Sequence, residues 1–81
     1  MQIVWDEPKR QVNIAKHGYD FADLTLEFFL GSKVVSAKES RWMAIGRFAD
    51  GTIAVVFVTL GTEGLSVISM RAASKREREL I

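Results

Sequence analysis

The segment Thr52–Leu60 constrains this chain most, because it is apolar on both of the faces that a strand would present. Asp50-Gly51 precedes it and Gly61-Thr62-Glu63-Gly64 follows it, so turn signals bound it at both ends. A strand with two apolar faces has to lie inside a sheet with strands on either side. Its continuous apolar stretch, Ile53 to Val58, has strand length and falls far short of the roughly 20 residues needed to span a bilayer. The chain has 81 residues, enough for one core and not two, so residues 1–81 are expected to form a single domain.

Around that strand the hydrophobic period changes. Gln2-Ile3-Val4-Trp5 forms a short strand or an extended lead-in. Asp6 is a suitable helix N-cap with Pro8 in the first turn, and Gly18 stops the helix after Lys16 or His17. Asp20 looks like a second N-cap. Phe21, Leu24 and Phe28 then form one apolar face of a second helix ending at Gly31. Lys33–Ala37, Arg41–Phe48 and Leu65–Arg71 read as further strands, and Ala72–Ile81 as a short basic helix. The expected fold class is α+β: two N-terminal helices, an antiparallel meander of three to four strands, and a short C-terminal helix.

Charge is unevenly placed. Residues 1–31 carry a net −2, residues 32–70 a net +1, and residues 71–81 a net +2 from Arg71, Lys75, Arg76 and Arg78 against Glu77 and Glu79. A basic end suits a phosphate-bearing partner but is too weak for autonomous tight binding to duplex. There is no cysteine, which removes disulfide scaffolds, thiolate nucleophiles and cysteine-ligated zinc. Met1–Pro8 carries Asp6 and Glu7 and lacks the order of a signal peptide, so the protein is expected to be soluble and cytoplasmic, without membrane contact. Walker, GxGxxG, GxSxG and HExxH motifs are all missing.

Few side chains are left to carry chemistry. His17 is the only histidine, and an imidazole titrates near neutrality. At a helix C-terminus it more often bonds the last carbonyls, so the residues alone do not assign it a catalytic role. Lys16 beside it offers a cation or a solvated side chain. Arg71 ends a strand, where its planar fork suits a phosphate clamp or an ion pair with an N-terminal acid. Glu77, among Lys75, Arg76 and Arg78, suits a general base or a helix-surface ion pair. Trp5, Trp42 and Phe48 are expected mainly in the core. One histidine with scattered carboxylates gives no metal-ligand spacing, so neither a metal nor another cofactor is expected.

Taken in order, these residues resemble the BrnT toxin family. Trp5-Asp6, Lys9, Asn13, Lys16-His17-Gly18 and Phe21 match its opening signature. Arg41, Ile45-Gly46, Val67-Ile68-Ser69, Arg71, Ala73 and Glu77-Arg78 match its second block. Leu60 and Ser66 depart from it, standing where many relatives have arginines, and Leu80-Ile81 stands where many have a tyrosine. The resemblance implies a RelE-like ribonuclease fold and the toxin of a type II toxin–antitoxin pair, an endoribonuclease that arrests growth. It implies a BrnA-like antitoxin as partner, RNA as substrate, and DNA contact only through the antitoxin complex, which represses its own operon. On this basis Lys16, His17, Arg71 and Glu77 are the expected catalytic residues, and Arg41, Lys75 and Arg78 the expected RNA-binding ones. Arg71 and Lys16 would stabilise the phosphate while His17 or Glu77 handles protons, without a metal. Two rival readings stay open on the residues alone. One is a non-catalytic module that binds antitoxin and represses the operon as a complex. The other is a regulatory partner with no nucleic-acid contact.

Overall fold

The computed structural model describes residues 1–81. The elements are β1 (Gln2–Trp5), α1 (Glu7–His17), a 3₁₀ turn (Phe21–Asp23), α2 (Leu26–Leu30), β2 (Lys33–Ser36), β3 (Trp42–Phe48), β4 (Gly51–Leu60), β5 (Gly64–Ala72) and α3 (Lys75–Arg78). One five-stranded sheet has the order β1-β5-β4-β3-β2, so the doubly apolar strand β4 is central as expected. No helix is long and apolar enough to cross a membrane.

The capping residues act where the sequence placed them. Asp6 accepts from the Lys9 N–H, and Gly18 closes α1 in the left-handed conformation at φ 77°. Three expectations are corrected. First, the sheet is mixed and five-stranded, not an antiparallel meander of three or four. β1 pairs parallel with β5, from Gln2 opposite Gly64 to Trp5 opposite Val67. Gly64 permits this close approach, because a Cβ there would lie 3.1 Å from the Gln2 carbonyl oxygen. Second, the helix expected from Asp20 to Gly31 is interrupted. Asp20 caps only a 3₁₀ turn, and Leu24 and Thr25 are extended before Thr25 caps the five-residue α2. Phe21, Leu24 and Phe28 are still all buried, so the apolar spacing marked core contacts and not a continuous helix. Third, the C-terminal helix is a single turn, because β5 runs on through Ala72 and Ser74 starts α3 with a capping box.

The 3₁₀ turn, α2 and the main core lie on one face of the sheet. Phe21, Leu24, Phe28 and Phe29 pack there against Ala44, Ile53, Val55, Phe57, Leu65, Val67 and Met70. Trp5 and Phe48 join this cluster in part, but Trp42 is 42% exposed, against the expectation that it is core. The opposite face carries a small second cluster of Ile45, Ala54 and Ala73, flanked by Val35 and Met43. Val56, Val58 and Ile68 are only half-buried. This second face is the open side of the sheet.

Candidate phosphate-binding face

Strand alternation decides which side chains meet on the open face. Between Val56 and Phe57 of β4 the register to β5 shifts, so Val56 faces Ser69 while Phe57 faces Val67, and Ile68 is the extra residue of a bulge. Beyond the bulge, Met70 points into the main core beside Val55. Ser69 and Arg71 therefore point the other way, onto the open face, with successive same-face positions about 6.6 Å apart. The Arg71 guanidinium lies 3.9 Å from the Met43 sulfur on that face.

Helix α1 flanks the same stretch of β5. Lys9, Asn13, Lys16 and His17 of α1 line a hollow of about 460 Å³ with Ile68 and Ser69. Lys9 and Lys16 are exposed and His17 is half-buried. Lys16 and His17 thus share a wall with Ser69, which precedes Arg71 by two positions on the same strand face. Arg71 is not itself in that wall. Ser69 links the hollow to the Arg71 strand face, and Lys9, seven residues before Lys16 on the same helix, adds a further cation to the hollow.

Asn13 joins the halves. Its Nδ2 donates to the Met70 carbonyl at 2.9 Å and to the Tyr19 carbonyl at 3.0 Å, and its Oδ1 accepts from the Met70 N–H at 3.0 Å. Its side-chain amide occupies the place along β5 that β1 vacates after Trp5. Without it, a buried N–H and C=O of Met70 would be left unpaired.

Arg71 and Glu77 form a bidentate ion pair, Nη1 to Oε1 at 2.7 Å and Nη2 to Oε2 at 2.9 Å. Glu77 Oε1 also accepts from the Ser74 N–H at 2.8 Å. The Arg71 hydrogen bonds hold the Glu77 carboxyl down at about 2, against the opposing effect of partial burial, and the Ser74 N–H adds to the lowering. Glu77 raises Arg71 in turn. The partner that the sequence offered for Arg71 was an N-terminal acid, but the partner found is Glu77. Asp20 and Glu7 both bind Arg10, which holds Asp20 down at about 2.

The remaining cations do not gather in one hollow. Arg41 stands just before β3, 3.7 Å from Glu39. Arg78 donates to the Ala73 carbonyl at 2.9 Å and lines a second hollow with Arg47, Thr52 and Glu27. Lys75 is exposed on α3. No three histidine, aspartate or glutamate side chains converge as metal ligands. Lys9 and Ser69 were not among the expected site residues. The i, i+7 spacing of Lys9 and Lys16 marked the first, and the alternation Ser69, Arg71 marked the second.

The family model described as ribonuclease toxin, BrnT, of type II toxin-antitoxin system matches residues 5–77. The crystal structure of the Brucella abortus ribonuclease toxin BrnT is similar, with 63% sequence identity and a TM-score of 0.87 over 93% of this chain and 99% of that one. No curated protein matches.

Proposed function

The chain belongs to the BrnT family of ribonuclease toxins of type II toxin–antitoxin systems, and we propose that it cleaves RNA internally, without a metal, on the open face between α1 and β5. One observation carries this reading. Lys16 and His17 share a hollow with Ser69, whose neighbour on the same strand face is Arg71.

In this mechanism the RNA supplies its own nucleophile. The ribose 2′-oxygen attacks the adjacent phosphorus, its proton passes to His17, and the bond from phosphorus to the 5′-oxygen breaks. The departing 5′-oxygen takes a proton from water in the exposed hollow. The products are a 2′,3′-cyclic phosphate and a 5′-hydroxyl. Arg71 and Lys16 face the phosphorane oxygens, where charge builds during the reaction. Glu77 takes the Nη1–Nη2 edge, so the phosphate meets the remaining N–H groups of a guanidinium that has five.

Proton transfer falls to His17 and not to Glu77. A carboxylate held at about 2 is a weak base at neutral pH, and both its oxygens are engaged by Arg71. Glu77 acts through Arg71, presenting the guanidinium at a fixed angle. Arg41, Lys75 and Arg78 contact phosphates on either side of the cleaved bond. The partner in this reading is a BrnA-like antitoxin, DNA is reached only through their complex, and the pair acts in the cytoplasm.

The direct test is RNA incubated with purified protein in EDTA. Cleavage by the wild type and loss of cleavage in an Arg71→Ala/His17→Ala double variant are expected. Intact RNA with the wild type, or equal cleavage by the double variant, would reject the proposal.

A further inference from the structure

We infer that Asn13 is a positioning residue for RNA cleavage, fixing the Lys16–His17 end of α1 against the Arg71 end of β5. This rests on the assignment of the open face as the site. Asn13 is 5% exposed, and its side chain makes all of the hydrogen bonds between α1 and β5. Its reach is long, since Met70 lies 57 residues away in sequence.

The placement of the three bonds gives them their meaning. Met70 immediately precedes Arg71, so holding both backbone groups of Met70 sets where the arginine leaves the strand. His17 lies one helical turn beyond Asn13 on the same side of α1. The Tyr19 carbonyl, bound by the same Nδ2, ties down the chain just after Gly18. A single amide therefore holds the segments on both sides of Lys16–His17 and the residue next to Arg71. Apolar packing does not replace this, because α1 buries no apolar residue and Asn13 is its only fully buried side chain.

Asn13→Asp keeps the size and the acceptor for the Met70 N–H, but sets an oxygen against the Tyr19 and Met70 carbonyls. Reacting groups displaced by about 1 Å lose on the order of 10²-fold in rate. The expected result is a kcat per folded molecule down by about 10²-fold, with KM for RNA nearly unchanged. Instability alone would lower activity by the same factor in any background. Misplacement is non-additive with loss of the arginine, so in single-turnover assays Asn13→Asp/Arg71→Ala is expected within about 2-fold of Arg71→Ala. Folded Asn13→Asp at wild-type kcat, with Arg71→Ala impaired, overturns the role of Asn13 alone. So does a fully multiplicative loss in the double variant. Arg71→Ala at wild-type rate instead overturns the site assignment itself. Should Asn13→Asp not fold, Asn13→Ser goes through the same assays, and failure of both to fold assigns Asn13 to stability only and overturns the inference.

Discussion

Replacing Glu77 by glutamine separates the ion-pair role from a proton-transfer role, and the structure sets its size. The carboxyl is lowered from 4.5 to about 2, which corresponds to at most about 3 kcal/mol of folding stability at neutral pH. The Arg71 side chain is 34% exposed, so solvent screens the pair and about 1–2 kcal/mol is the expected loss. The sign follows from the lowered value. The stabilisation is fully present above about 4.5 and is lost as the pH falls toward 2, where the wild-type carboxyl also becomes neutral. In urea unfolding at matched pH values, Glu77→Gln is therefore expected to lose about 1–2 kcal/mol at pH 7. The difference from wild type should shrink by about half or more between pH 5 and pH 3. A penalty that stays constant over that range, or none at pH 7, would refute the reasoning. In RNA cleavage the same variant is expected to lose kcat through a loosened Arg71.

Further outcomes follow from other contacts. His17→Ala is expected to lose about 10²–10⁴-fold in kcat, measured on a defined RNA. Asp20→Asn removes the partner that binds Arg10 at 2.7 and 2.8 Å, so the urea midpoint should drop at pH 7, and the drop should fade as the pH approaches 2. Gly46→Ala would set a methyl 3.1 Å from the Phe28 ring and 3.3 Å from Ser32 Cβ. That overpacking should cost about 1–3 kcal/mol, read from thermal or urea unfolding.

What the sequence discloses here depends on how local each cause is. Asp6 and Gly18 act on their own helix ends, and β4 carries its central position in its two apolar faces, so these features are legible. The partner of β1 is not, because Gln2–Trp5 has no local mark of a strand 62 residues further on. The break at Leu24-Thr25 was hidden because Phe21, Leu24 and Phe28 reach one core in either conformation. In the site, Lys16, His17 and Arg71 are visible as isolated chemistry. That Ser69 and Arg71 share the open face depends on the bulge at Ile68, which reverses the alternation of β5. The roles of Asn13 and Glu77 are long-range or reciprocal contacts, and only coordinates reveal them. Trp42, expected in the core, is 42% exposed at the start of β3.

The most direct test of the central claim is the chemistry of the cut ends. RNA treated with purified protein in EDTA, and the same RNA with one 2′-deoxy nucleotide at the cleavage position, would be compared by mass spectrometry of the fragments. The account predicts 2′,3′-cyclic phosphate and 5′-hydroxyl ends from the first and no cut at the substituted position in the second. Cleavage that survives the 2′-deoxy substitution, or fragments ending in a 3′-hydroxyl and a 5′-phosphate, would contradict it.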